Sequence, residues 1–89
     1  MEKILVKKPT TQEKTKLNVE SWDIWTCKPS TFDWSYSDRE TCLIIEGRVT
    51  VRAADHEVTF GAGDLVVFPK GLSCSWTVHE AVRKYYRFG

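Results

Sequence analysis

The stretch Gly63-Asp64-Leu65-Val66-Val67-Phe68-Pro69-Lys70-Gly71 places a short apolar run between two glycine turns. Consecutive apolar residues between turn signals are typical of a buried β-strand. Pro69 ends the strand because proline has no amide hydrogen for the strand ladder, and the glycines allow the positive φ angles that tight turns need. The stretch therefore predicts one short strand of an all-β protein.

Similar segments lie on both sides of this strand. Residues 41–45 form a near-continuous apolar run, which predicts a strand covered on both faces, and Glu46-Gly47 predicts a turn before a strand at 48–53. Further along the chain, residues 74–78 and 82–88 predict the last two strands. Short strands separated by closely spaced glycine turns predict a small antiparallel β-barrel or sandwich.

The N-terminal part adds one strand and one short helix. Residues 3–8 predict a strand that Pro9 stops. Thr10 or Thr11 can then cap a short helical turn that runs to about Leu17. This N-terminal helical turn is the only helix that the sequence predicts.

Two aromatic segments follow, and both have a period of two. Trp22 and Ile24 alternate with Trp25, and aromatic side chains occupy every second position of residues 32–36. Because neighbouring side chains of a strand point to opposite faces, each segment predicts a half-buried strand.

Length and charge restrict the organisation and the partners of the chain. Its 89 residues suffice for a single domain, 1–89. With 13 basic and 12 acidic residues and a formal net charge of +1, no strong field attracts nucleic acid or an anionic membrane. The short basic pair Arg83-Lys84 is typical of a solvated strand end.

Three cysteines, Cys27, Cys42 and Cys74, are an odd number, which argues against a secreted disulfide scaffold. No segment approaches the ~20 apolar residues of a membrane span. We therefore expect an intracellular protein, cytoplasmic by default, with an organelle as the alternative.

Two spacings resemble the paired motifs of cupins. Glu40 is followed by six residues and Gly47, as in the first cupin motif. Gly63 is followed by five residues, Pro69-Lys70-Gly71, two residues and Cys74, as in the second. The resemblance implies a cupin fold, which is a jelly-roll or double-stranded β-helix barrel.

The metal-binding histidines of the cupin motifs are replaced. Trp34 and Tyr36 stand where the first motif has its two histidines, Cys74 stands where the second motif has the third, and of the usual ligand set Glu40 remains. An indole has no lone pair for a cation, and a site of Tyr36, Glu40 and Cys74 without any histidine would be unusual. We therefore expect no metal and no other cofactor.

A closer resemblance is to small single-domain cupins grouped with the cupin domain of (S)-ureidoglycine aminohydrolase. The shared stretches include Glu40-Thr41-Cys42, residues 63–66 and residues 68–72, followed by Cys74 and Trp76. The resemblance implies a ureide-like ligand. That aminohydrolase is itself a longer manganese enzyme with two cupin domains, so its activity does not follow from the resemblance.

The side chains at the motif positions predict a pocket inside the barrel. Residues two apart share a face, so Trp34 and Tyr36 point the same way, with Glu40 on the continuation of that face. Cys74 and Trp76 share a face of a later strand, and the two faces meet in the cupin arrangement. Aromatic walls with a few polar groups are typical of a small-molecule site.

Glu40 is the candidate acid or base of this pocket, because a carboxylate in apolar surroundings tends to a raised pKa. Tyr36, Trp34 or Arg39 could satisfy it structurally instead. We expect His56 in an exposed turn and His79 pointing outwards, so neither would activate Cys74 as a nucleophile.

Three functions remain open. The first is a binding module for a small polar molecule, the second a ureide-type hydrolase or lyase that uses Glu40, and the third a structural or assembly protein with a filled barrel. The apolar segment Ile4-Leu5-Val6 can form an exposed sheet edge, from which we expect a homodimer.

Overall fold

The computed structural model describes residues 3–89, which form seven β-strands, one α-helix and one turn of 3₁₀ helix, Val19–Ser21. In chain order the main elements are β1 (Leu5–Lys7), α1 (Thr11–Leu17), β2 (Asp23–Cys27), β3 (Ser30–Ser35), β4 (Glu40–Arg52), β5 (Glu57–Gly61), β6 (Leu65–Phe68) and β7 (Ser73–Phe88).

The two long strands, β4 and β7, each pair with shorter strands along both of their halves. β4 and β7 pair in antiparallel fashion along nearly their whole lengths. The first half of β4 also pairs with β6, and the second half with β5. The first half of β7 also pairs with β3, and the second half with β2. Inward side chains of both halves form one apolar core, so the predicted all-β antiparallel architecture is confirmed.

The predicted turn at Glu46-Gly47 is wrong, as is the prediction of two strands at 74–78 and 82–88. β4 runs without interruption through this point, and β7 is a single strand of 16 residues. The pairing of β4 with β7 shifts register three times between Ile44 and Val49. Bulges of this kind bend a strand without ending it. Gly47 therefore marks a bend within β4 and not the end of a strand.

Gly47 permits the closest approach of the two long strands. Its φ angle is +104°, and a Cβ atom at this position would lie 2.5 Å from the carbonyl oxygen of Ala81 and 2.7 Å from Cα of Val82. Only a residue without a side chain can therefore occupy this position while β7 passes so close.

The helical region covers the outer face of the sheet. Thr10, one of the two predicted capping residues, caps α1, and it does so through a capping box with Glu13. Beyond α1, Val19 packs against Leu43 and Leu65 on the outer face of β4 and β6. No helix within residues 3–89 is long and apolar enough to cross a membrane.

β1 is shorter than predicted and lies at one edge of the sheet, where it pairs with β6. Ile4 is buried just before it, and Leu5 is exposed. Self-association through this edge stays a prediction.

β2 buries the face that carries Trp25 and Cys27, whereas Ile24 is 45% exposed. Trp25 pairs with Lys84 of β7 in the ladder. A shift of one residue in the pairing of β2 with β7 would exchange the two faces of β2. Both faces carry apolar residues, and alternation by itself does not say which of them points inwards.

We predict that Gly47→Ala strongly destabilises the protein, because it adds a backbone clash to the strain of a positive φ angle. Gly71→Ala is the matched control, since Gly71 has a φ of +87° but its Cβ would meet no atom within 4 Å. Chemical denaturation of both variants measures the difference. Equal losses of stability would show that the close approach to β7 contributes nothing.

Candidate functional site

A cavity of about 470 Å³ opens between β2, β3 and the long strands. Its walls are almost entirely aromatic, and its charged groups are one carboxylate and one amine. The lining residues are Trp25, Cys27, Phe32, Trp34, Tyr36, Glu40, Trp76, Lys84, Tyr86 and Phe88. The volume falls within the range of small-molecule sites.

Aromatic rings in mutual contact build the inner wall. Phe32 of β3 stacks on Trp76 of β7, with ring centroids 5.9 Å apart, because these two residues are direct partners in the ladder. Trp25 meets both rings edge-on. Trp76 is buried, and its indole N–H has no hydrogen-bond partner within residues 3–89.

Glu40 and Lys84 form a buried ion pair on this wall. The distance from Lys84 Nζ to Glu40 Oε2 is 2.9 Å, and the two side chains are 6% and 5% exposed. Lys84 Nζ also lies 4.7 Å from the ring centroid of Trp76 and 4.9 Å from that of Trp25. The ammonium is therefore held by one carboxylate and by the negative faces of two indole rings.

The prediction that Arg83-Lys84 is a solvated strand end is wrong for Lys84. The buried side chains of β7 occupy even positions, which Lys84 shares with Trp76 and Val82. A sequence signal for its burial therefore existed. Glu40 is paired with Lys84 rather than with the predicted candidates, and Arg39 instead donates to the carbonyl oxygen of Gly89.

Tyr36 lies deep in the cavity. Its ring stacks on Phe68 with centroids 4.8 Å apart, and the residue is buried. Burial, reinforced by the nearby charge of Glu40, raises the pKa of the Tyr36 phenol well above its usual range. Tyr36 therefore presents a neutral phenol to the cavity.

Trp34 and Cys74 lie differently from the other predicted site residues. Trp34 lines the cavity but is 50% exposed, so it stands at the mouth. Cys74 is not among the lining residues, and its thiol lies 3.7 Å from the carbonyl oxygen of Trp34. Burial raises the pKa of the Cys74 thiol, which keeps it protonated. The structure thus brings together Trp34, Tyr36, Glu40 and Trp76, without Cys74.

The residues present do not fit a metal ion. Within residues 3–89, no three His, Cys, Asp or Glu side chains form a group that could hold one. Tyr36, Glu40 and Cys74 are the side chains that the sequence offered as conceivable metal ligands. The thiol of Cys74 does not line the cavity, and the carboxylate of Glu40 is already neutralised by Lys84.

Both histidines lie outside the cavity lining. His79 is exposed, as expected. Its ring lies within hydrogen-bond distance of Thr50. The expectation that His56 is exposed is wrong: its side chain is 12% exposed. Its Nε2 accepts a hydrogen bond from the amide of Ile4. His56 therefore anchors the N-terminal segment to the turn between β4 and β5.

Residues 14–86 match the model of the EutQ-like cupin domain family. A DUF861 family protein from Thermotoga maritima is 45% identical, with a TM-score of 0.96 over 98% of this chain and 100% of that one. No curated protein matches.

Two EutQ proteins are more distant. A putative ethanolamine utilization protein Q from Salmonella typhimurium is 26% identical, with a TM-score of 0.67 over 73% of this chain and 53% of its own. The EutQ protein of Clostridium difficile is 25% identical, with a TM-score of 0.69 over 96% of this chain and 66% of its own. The chain thus spans little more than half to two thirds of these relatives.

We predict that Glu40→Gln destabilises the protein by ~3–5 kcal/mol, because it leaves the buried ammonium of Lys84 without a counter-charge. Adding Lys84→Met should restore most of the loss, since both charges are then gone. A double-mutant cycle by chemical denaturation measures the coupling. If Glu40→Gln alone is as stable as the wild type, that result would contradict a buried ion pair.

We also predict that stability falls as the pH rises above 9. Burial raises the pKa of the Cys42 thiol from 9.0 to about 12. Between these values the unfolded thiol is ionised while the folded one keeps its proton, so rising pH favours unfolding. Cys42→Ala should therefore flatten the alkaline fall of the unfolding free energy.

Cys27→Ala is the matched control, because Cys27 is only half-buried. The comparison uses the slope of unfolding free energy against pH, since Cys42→Ala also opens a small cavity at every pH. Equal alkaline slopes in the wild type and Cys42→Ala would refute this assignment.

Proposed function

Because the chain belongs to the EutQ-like cupin domain family, we propose that it binds a small, neutral, polar molecule inside its barrel without a histidine-bound metal. The observation that carries the proposal is the aromatic cavity with the Glu40–Lys84 pair on its wall. These groups supply both a hydrogen-bond acceptor and donors to a ligand.

The charge balance of the site favours a neutral ligand. Glu40 and Lys84 already neutralise each other across 2.9 Å. The faces of Trp25 and Trp76, which could bind a cationic ligand, already hold the ammonium of Lys84. A charged ligand would therefore bring an uncompensated charge into a largely apolar space.

A planar amide or ureide group suits these contacts. Its carbonyl oxygen can accept from Lys84, and its N–H groups can donate to the free lone pairs of Glu40. The flat aromatic walls can stack on the same group. This chemistry agrees with the ureide class that the resemblance to the ureidoglycine aminohydrolase group implies.

The other functions have less support. A hydrolase or lyase of ureide type would need Glu40 to exchange protons with its substrate directly, but Oε2 of Glu40 faces Lys84 Nζ at 2.9 Å. A filled barrel does not account for about 470 Å³ of cavity. The name of the Salmonella typhimurium relative refers to ethanolamine utilization, and protonated ethanolamine is a cation, which this site disfavours.

We predict that a ureide such as N-phenylurea raises the melting temperature, whereas ethanolamine and acetate do not. A ligand at one hundred times its Kd that binds only the folded state adds ~2.7 kcal/mol to its stability. Differential scanning fluorimetry across such a panel provides the test. No response to any neutral amide or ureide, with a response to ethanolamine, would reject the neutral class.

Trp76→Phe makes the aromatic wall smaller, so a ligand loses part of the ring against which it would stack, and the response to N-phenylurea should weaken. Trp22→Phe is the matched control, because Trp22 does not line this cavity. Equal responses of both variants would exclude the Trp76 ring as a contact.

A further inference from the structure

Lys84 is the only buried lysine among residues 3–89. It lines the cavity, so a small molecule that enters the barrel meets its amine. Buried lysines are rare because desolvation penalises the charged form, and those in cavities are a known class of nucleophile towards carbonyl compounds.

The surroundings of Lys84 provide one proton acceptor and otherwise apolar rings. Glu40 Oε2 accepts a hydrogen bond from Nζ at 2.9 Å, and the rings of Trp76, Trp25 and Phe68 lie 4.7, 4.9 and 6.0 Å from Nζ. Glu40 Oε2 is therefore the carboxylate oxygen within hydrogen-bond distance of Nζ, in surroundings that are otherwise apolar.

We infer that Lys84 captures aldehydes: an aldehyde that enters the cavity condenses with Nζ to a Schiff base, and Glu40 carries the protons. The inference rests on the ligand cavity of the proposed function. It adds a second class of ligand, carbonyl compounds, which would be held covalently and reversibly.

The step balances without an oxidant or reductant. Nζ passes one proton to Glu40, and its lone pair forms a C–N bond while the carbonyl electron pair moves to oxygen, which takes the proton back from Glu40. Nζ then passes a second proton to Glu40. The nitrogen lone pair forms C=N as the C–O bond breaks, and the oxygen leaves as water with that proton. The sum is ammonium plus aldehyde giving iminium plus water.

The site stabilises the iminium product in the same way as it stabilises the ammonium of Lys84. The iminium carries the same single positive charge as the ammonium, so Glu40 stays paired with it. The faces of Trp25 and Trp76 remain in contact with a cation. The aromatic walls can pack against an apolar group on the aldehyde.

The test is reductive trapping on the folded protein with benzaldehyde and sodium cyanoborohydride, followed by peptide mapping. We expect benzylation of Lys84 at least about tenfold faster than that of Lys70, an exposed lysine. A purely structural ion pair predicts the opposite order, with Lys84 modified last. Labelling of Lys84 no faster than Lys70 would overturn the inference.

Two controls identify the cause of selective labelling. Sulfosuccinimidyl acetate, a bulky anionic acylating reagent, should modify Lys70 before Lys84, which shows that the cavity selects the aldehyde. Lys84→Arg keeps the charge opposite Glu40 and should abolish the fast adduct. If Lys84→Arg fails to fold, the wild type is labelled in the presence of N-phenylurea instead. Slower labelling of Lys84 under this competition would show that the adduct forms in the cavity.

The result separates this inference from the proposed function. A melting-temperature response to N-phenylurea without fast labelling of Lys84 leaves the binding proposal intact and rejects Schiff-base formation. Fast labelling without such a response rejects the ureide class and supports the reactive amine.

Discussion

The antiparallel pairing of β4 with β7 holds together every other part of the sheet. Each of the remaining strands except β1 pairs directly with one of these two, and β1 is attached through β6. The pairing depends on a close approach at Gly47, where the backbone of Ala81 and Val82 occupies the space of a side chain. Because the strands bend here without breaking, their inward faces surround one core and leave a cavity beside it.

The same pairing brings two opposite charges together on the wall of the cavity. Glu40 begins β4, and Lys84 lies on the inward face of β7 where it meets the first half of β4. Burial makes each charge costly alone, so each requires the other. The indole rings of Trp25 and Trp76 complete the surroundings of the ammonium. The ion pair and the two indole rings thus form one buried cluster on the cavity wall.

Much of this arrangement was predictable from the sequence, since it depends on local patterns. The glycine and proline signals around residues 63–71 predicted a strand with turns on both sides, and β6 lies there. The alternation along Cys74 and Trp76 predicted their shared buried face. The bulge at Gly47 was mistaken for a turn, because both have the same glycine signal. β7 was divided at residues 79–81, where its pairing with β4 shifts register without ending the strand.

The sequence by itself determined the all-β fold class, the place of β6 between two turns and the residue types at the cupin motif positions, because each of these follows from residue type and spacing along the chain. Only the tertiary structure decided which groups share the cavity. It paired Glu40 with Lys84 across 44 positions of sequence, turned Trp25 inwards and left Cys74 outside the lining. These outcomes depend on the register between strands and on the desolvation of charge, which arise only when distant segments pack together.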